Sequence, residues 1–383
     1  MTRPPRSAPV PLGELARFFL TLGTVAFGGP AGHIAMMEDQ VVRRRQWLTR
    51  EEFLDLLGAA SLIPGPSSTE LAIFIGFRRA GWRGLVLSGV CFILPAFLIV
   101  MALAWAYRRF GTLPAATGVL YGIEPVVIAL VVQAIAGLAR TALKTWWLLV
   151  VALCTLASAA LGVAVLPVLG IGAALAMLPV LFRRREARAA VWASGLSLAS
   201  SGGGTAFGLW PLFVVFFKVG AVLFGSGYVL LAFLQGDLVQ RLHWLTERQL
   251  LDAVAVGQVT PGPVFTTATF IGYVLGGLPG AIVATVAIFL PSFVYVGLSG
   301  PLIPLIRRSP VAGAALSGVT VASLALMAVV GVQLGHAALV DGVTAAILGV
   351  SLILLLVFRV NSAWLVLGAA AVGLAARLLH HGG

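Results

Sequence analysis

Two short stretches of this chain gather residues suited to holding an anion. In the first, Pro64-Gly65-Pro66 runs directly into Ser67, Ser68, Thr69 and Glu70. In the second, Thr260 precedes Pro261-Gly262-Pro263, and Thr266, Thr267 and Thr269 follow. Proline lacks an N–H and clashes with the preceding turn, so Pro-Gly-Pro inside an apolar run ends one helix, and another must begin after it. The restarted helix presents unpaired N–H groups and the positive end of its dipole. Nearby hydroxyls donate hydrogen bonds without a fixed charge that would trap the anion. A second kind of break lies upstream, at Gly28-Gly29-Pro30 and at Gly225-Ser226-Gly227. Glycine there lets a ligand or another backbone approach closely. The expected binding residues are Gly28, Gly29, Pro64, Gly65, Pro66, Ser67, Ser68, Thr69, Gly225, Ser226, Gly227, Pro261, Gly262, Pro263, Thr266 and Thr267. A lone break could serve only to kink and pack a helix. Four in a repeated pattern favour a site.

Several ionisable residues sit in apolar surroundings. Lys218 stands where the first copy has Thr21. A cation at membrane depth costs roughly 2.5–3.5 kcal/mol, so Lys218 is either a counter-charge for the anion or a side chain snorkelling to the interface. Glu70 is a candidate proton carrier, unless it pairs with an arginine such as Arg78. Glu124, beside Pro125, is a second proton-coupling candidate. Asp55 and Asp252 follow a shared Trp-Leu-Thr and read most simply as helix N-terminal stabilisers. His33 has no counterpart, since Leu230 occupies its place, and reads as a packing or interface residue.

The elements that must position these residues come as two copies. Phe27-Gly28 is matched by Phe224-Gly225, Trp47-Leu48-Thr49 by Trp244-Leu245-Thr246, Asp55 by Asp252, and Pro64 by Pro261, all at one offset. One residue drops out past the Pro-Gly-Pro, after which Gly76, Gly81, Gly84 and Pro95 pair with Gly272, Gly277, Gly280 and Pro291. The apolar segments run over 16–37, 53–77, 83–107, 115–139, 145–162 and 164–182. The second half has 209–234, 250–275, 279–304, 311–334, 337–357 and 361–379. This gives a first repeat over 1–182, a basic, small-residue linker over 183–208 and a second repeat over 209–383. The fold class is an all-α polytopic membrane protein of roughly ten to twelve membrane segments. The first two segments of each half are broken. Unwound backbone survives at membrane depth only where protein buries it or water reaches it.

Of the 383 residues, 60% are hydrophobic and 10% charged, which leaves too little polar surface for a soluble domain. The net charge of +12 lies in loop clusters such as Arg43-Arg44-Arg45 and Arg78-Arg79, a membrane pattern rather than a nucleic-acid footprint. If the broken segments of the first half are re-entrant, the tail, both of these loops, Arg140, Lys144 and the linker arginines share one side, and only Arg108 and Arg109 fall opposite. The positive-inside rule prefers that arrangement. The second half has few loop cations and its orientation stays open. Cys91 and Cys154 lie in apolar runs and read as buried packing residues. Trp47 and Trp244 are expected at the membrane interface. The N-terminus lacks a signal-peptide pattern and reads as a short cytoplasmic tail.

The FGGP and FGSG stretches, the shared Trp-Leu-Thr with its downstream Asp, and the Pro-Gly-Pro with its hydroxyls resemble the chromate ion transporter family, in its long two-domain form. The resemblance is specific over about Phe18–Pro95 and Phe216–Pro291. It implies an inner-membrane transporter for chromate, with sulfate as a structural mimic, and halves in opposite orientation. Ser226-Gly227 in place of Gly29-Pro30 means that the halves need not work equally. A tetrahedral oxodianion needs donors and positive potential to replace its hydration shell, which the paired helix starts supply. A dianion leaving a negative interior gains about twice 2.3 kcal/mol per 100 mV. Export therefore needs no ATP, and the chain has no phosphate-binding loop of the P-loop type. The expectation is a secondary transporter exporting chromate, with proton exchange through Glu70, no cofactor and no metal, in a bacterial inner membrane, as a monomer or homodimer. The alternatives are sulfate or another oxyanion as cargo, a channel or scaffold without coupled transport, and an enzyme. Enzyme motifs such as HExxH or GxSxG are missing from the sequence.

Overall fold

The computed structural model describes residues 10–27, 29–111, 113–183, 207–224, 227–358 and 360–381, and the regular structure in them is helical. The first half contains α1 (Leu12–Val25), α2 (Gly29–Glu38), α3 (Arg50–Ala60), α4 (Ser67–Phe110), α5 (Pro114–Ala142), α6 (Trp146–Ala160) and α7 (Val165–Arg183). The second contains α8 (Leu209–Val222), α9 (Leu230–Leu234), α10 (Glu247–Val259), α11 (Thr267–Arg308), α12 (Pro310–Ala338), α13 (Gly342–Leu356) and α14 (Ser362–His381). Gly28, Gly225, Ser226 and nearly all of the linker lie outside the described residues.

The repeat extends to local detail. Asp39–Arg44 and Gln235–Arg241 both widen into π-helical turns. Gln46 and His243, at matching positions, are both left-handed at φ 52°. The shared Trp-Leu-Thr is a helix-start signal. Thr49 accepts from the Glu52 N–H while the Glu52 side chain returns to Thr49, and Thr246 and Gln249 do the same. Asp55 and Asp252 therefore lie past the first turn, whose acidic residues are Glu51, Glu52 and Glu247, so the N-terminal reading of both aspartates is corrected. Trp47 is buried against Phe18 and Arg45. Cys91 is buried, but Cys154 is exposed on the apolar surface.

α4 and α11 are helical hairpins. The backbone leaves helical geometry at Ala80–Gly81 and Gly276–Gly277, with φ +60° at Gly81 and +61° at Gly277. The short arm then folds back on the long one. A Cβ on Gly84 would overlap the Gly76 carbonyl, and one on Gly280 the Gly272 carbonyl. Thr269 and Thr285 bridge the second hairpin at 2.7 Å. The short arm 67–79 reaches about 20 Å at 1.5 Å per residue, less than the roughly 30 Å of a hydrocarbon core. The ends of the first-half breaks also come back together, since Arg45 pairs with Glu14 at 3.0 Å and Arg78 with Glu52 at 2.9 Å.

The two long arms run antiparallel. Near the start of the α4 long arm, Trp82 meets Gly297. Further along, Gly89 meets Phe293. At the far end, Arg108 reaches the Tyr273 carbonyl at 3.4 Å. α1 packs on the α4 long arm at Gly23 and Phe92, and α8 repeats this on α11 at Gly220 and Ile288.

The outer helices are exchanged between the halves. α5 packs on α14 through Gly118, Gly122, Ala369 and Gly373, and α12 packs on α7 through Gly318 and Gly172. Small residues let helix backbones touch where lipid offers no hydrophobic drive. A Cβ on Gly122 would overlap the Ala369 carbonyl. A Gly122→Leu variant is expected to lose about 1–3 kcal/mol or more to overpacking, lowering its thermal midpoint in detergent. Gly349→Ala, which meets nothing within 4 Å, should not. An unchanged midpoint for Gly122→Leu would contradict this packing.

Five helices, α4, α5, α7, α11 and α12, are long and apolar enough to cross a membrane, and α6, α8, α13 and α14 are apolar but shorter. The chain is a multi-pass membrane protein. The expected ten to twelve segments resolve into these long helices, shorter apolar ones and the broken segments.

Candidate site at the crossed helix breaks

The Pro-Gly-Pro break of each repeat pairs with the residue just before the upstream break of the other. The Gly65 N–H donates to the Leu223 carbonyl at 2.8 Å, and the Gly262 N–H donates to the Ala26 carbonyl at 3.0 Å. Leu223 and Ala26 hold matching positions just before the upstream breaks, as Gly65 and Gly262 do in the Pro-Gly-Pro. Each repeat thus lends a carbonyl to the other's unwound amide. Gly65 has φ +135° and Gly262 +95°, a backbone region that side chains resist. Ala26, Gly65 and Leu223 are buried, as is every residue of 260–271.

Each crossing carries a different buried polar group. Beside Gly65 lies Glu70, fully buried, whose Oε1 accepts from Ser292 Oγ at 3.5 Å and whose Oε2 has no hydrogen-bonding partner. The expected pairing with Arg78 does not form, because Arg78 takes Glu52. Beside Ala26 lies His33, also buried. Its Nε2 is 3.0 Å from the Ala26 carbonyl and its Nδ1 is 3.2 Å from Ser68 Oγ. A carbonyl only accepts, so Nε2 carries the hydrogen, and in the neutral ring Nδ1 accepts from Ser68. His33 is a strut of the break, a role its missing counterpart concealed in the sequence.

The hydroxyls divide in the same unequal way. Thr69 Oγ1 is buried without a partner, whereas Ser68 already donates to His33. In the second half, Thr266 donates to the Pro263 carbonyl at 2.7 Å and Thr267 to the Val264 carbonyl at 2.9 Å. Ser67 is half-buried at the start of α4. At the helix starts that follow the two Pro-Gly-Pro turns, the unclaimed side-chain atoms among the described residues are thus Thr69 Oγ1 and Glu70 Oε2 of the first repeat, whereas Thr266 and Thr267 of the second already donate to backbone. Pro64 and Pro66 flank Gly65, Pro261 and Pro263 flank Gly262, Gly29 opens α2 at φ +69°, and Gly227 is buried. Lys218 does not serve the breaks as a free charge, since it is ion-paired with Asp237, which also holds Arg241 at 3.3 Å.

A second polar cluster joins the repeats away from the breaks. The Tyr107 hydroxyl, near the end of α4, donates to Asp252 Oδ2 on α10 at 2.8 Å. Arg248, one turn earlier on the same face of α10, lies 3.6 Å from Glu124 on α5. Sequence reasoning singled out Glu124 as a proton-coupling candidate and read Asp252 as a helix N-terminal stabiliser, but it did not name Tyr107, and the joining of all three across the repeats lay beyond local spacing. Among the described residues, no group of three or more His, Cys, Asp or Glu side chains is placed to hold a metal ion.

Comparison with known proteins agrees over nearly the whole length. A family described as chromate transporter matches residues 13–178 and 210–374. A chromate transport protein of Cupriavidus metallidurans is 37% identical over 97% of this chain and 94% of its own. A probable chromate transport protein of Synechococcus elongatus is 35% identical over 86% of each chain. A chromate transport protein of Pseudomonas aeruginosa is 33% identical over 76% of this chain and 72% of its own. No solved structure matches.

Proposed function

This chain belongs to the chromate transporter family, a family of transport proteins and not of enzymes, and on that footing we propose that it is a secondary transporter carrying chromate out of the cell across the inner membrane. The oxyanion binds where the breaks converge. The observation that carries this reading is the pair of crossed bonds, Gly65 to Leu223 and Gly262 to Ala26. They join unwound backbone of both repeats at two buried crossings, where a rocking motion of one repeat against the other would expose the amides to either side. The amides of the α4 start, the free Thr69 hydroxyl and the Ser67 hydroxyl are the donors on the first side, and the Gly262 turn closes the second. The carbonyls of Ala26 and Leu223 hold the Pro-Gly-Pro amides when no anion does.

The arms 67–79 and 267–275 act as re-entrant half-helices, and the antiparallel long arms of α4 and α11 correspond to repeats inverted in the membrane. Inversion leaves the cation-poor loops of the second half outside, as the positive-inside rule asks. Glu70 carries a proton. An ionised carboxylate would repel the dianion, so Glu70 is neutral while the anion is bound; the proton then leaves with chromate instead of in exchange for it, and one net negative charge moves out. That still gains about 2.3 kcal/mol per 100 mV.

Chromate flux from proteoliposomes at a clamped voltage tests the reading. The expected flux saturates with chromate, speeds up when the chromate-loaded side is made negative, and is competed by sulfate better than by chloride. Flux that neither saturates nor responds to voltage would mark a leak or a scaffold instead.

A further inference from the structure

We infer that Asp252 and Glu124 form a proton-binding site, apart from the breaks, whose occupancy loosens a latch between the two repeats. The inference rests on the transporter reading for one of its two readouts. Both carboxylates are nine-tenths or more buried, and Asp252 Oδ1 has no hydrogen-bonding partner although Oδ2 takes the Tyr107 hydroxyl. The cluster counts two acids against one cation, Arg248, whose side chain is 60% exposed. The ionised cluster is therefore one positive charge short, in a place where an unpaired charge is costly. A proton on Oδ1 supplies it. The other charged or titratable groups nearby are engaged elsewhere. Arg108 holds the Tyr273 carbonyl, Glu247 takes the Gln235 amide, and Arg377 stacks over Tyr121.

The cluster is not repeated at the matching positions of the other half, where the first repeat has Glu51 in place of Arg248 and its matching Asp55 is exposed. At the positions matching Tyr107 and Glu124 stand Ile303 and Thr320, which cannot form the cluster. The acidic cluster is unique to one side of the molecule, and it ties the far end of α4 to α10, the helix that leads into Pro261-Gly262-Pro263.

The step is a simple protonation. A hydronium reaching the cluster past Arg248 gives its proton to Asp252 Oδ1, an O–H bond forms, and water is left. Neutral Asp252 accepts the Tyr107 hydrogen bond about half as strongly as the carboxylate does, and Arg248 then faces one negative charge instead of two. The end of α4 is freed from α10, and the second break can move. Acid therefore opens the latch.

Two measurements on the full-length protein test this. Chromate flux in proteoliposomes should rise severalfold when both sides are taken from neutral to mildly acidic pH. Asp252→Asn should run at the acid rate already at neutral pH and respond little to acid, Tyr107→Phe should also be faster at neutral pH, and Glu124→Gln should blunt the acid response. Hydrogen exchange along 247–259 in lipid nanodiscs, corrected for the intrinsic pH dependence, needs no chromate. It should speed up with acid in the wild type and be fast at both pH values in Asp252→Asn. A merely structural role predicts slower flux in Asp252→Asn and Tyr107→Phe with the acid response intact, and that result overturns the inference, as does exchange that ignores pH in the wild type. A wild type that moves no chromate but shows the acid-sensitive exchange sinks the transport reading and leaves the latch standing.

Discussion

Chromate flux should drop below detection in a Gly65→Val variant. A Cβ there would overlap Glu70 Oε1 and come within 2.7 Å of Ser292 Oγ, at φ +135°. Neither neighbour can yield easily, because Glu70 is fully buried and Ser292 lies on the opposing α11 arm. The turn must therefore shift, and the Gly65 N–H leaves the Leu223 carbonyl. Gly262→Val should behave alike, since its Cβ would come 2.8 Å from Ala96 and 3.2 Å from the Gly23 carbonyl at φ +95°. Gly137→Ala, with nothing within 4 Å, is the control and should transport normally. Because the two glycines hold one node each, loss in both argues for a site shared by the repeats. Normal saturable flux in Gly65→Val would remove the crossed breaks from the mechanism.

Replacing Glu70 with Gln is the second large expected effect. Glutamine is nearly isosteric, stays neutral and can still take the Ser292 hydroxyl, so insertion and folding should survive. Proton movement with chromate should disappear, seen as a shift of the reversal potential. Net flux should fall by at least roughly tenfold, equivalent to about 1.4 kcal/mol in a rate-limiting barrier. Chromate binding, measured separately by equilibrium dialysis, should persist. Ser292→Ala should be milder, because it removes one long hydrogen bond and leaves the carboxyl in place. An unaltered reversal potential in Glu70→Gln would assign the proton elsewhere or to nothing.

Much of this architecture could be read from residue types alone. Proline and glycine dictate where a helix can no longer continue, so the breaks at 64–66 and 261–263 and the start of α2 at Gly29 were visible without coordinates. The paired Trp-Leu-Thr and its companions exposed the duplication. What stayed hidden depends on contacts between residues far apart in the chain. Arg78 prefers Glu52 over Glu70, Lys218 finds Asp237, and Asp252 meets Tyr107. None of these choices follows from local spacing. The reversals at Ala80–Gly81 and Gly276–Gly277 were legible too, since they fall in the gaps between the apolar segments 53–77 and 83–107 and between 250–275 and 279–304. His33 was set aside for lacking a twin, yet that asymmetry is what gives its crossing a neutral imidazole where the other has a carboxyl.

The exchange of outer helices has a consequence for how such a molecule is born and how it evolved. α5 leaves the ribosome long before α14 exists to cover Gly118 and Gly122, and α7 must wait likewise for α12. The early chain thus sits in the bilayer with naked small-residue grooves, which invite the wrong neighbour during synthesis. The same geometry means that a gene encoding one repeat could yield a working particle only by pairing two polypeptides, each clasping the other. Fusion into a single reading frame then fixes the partner's identity and frees each copy to specialise.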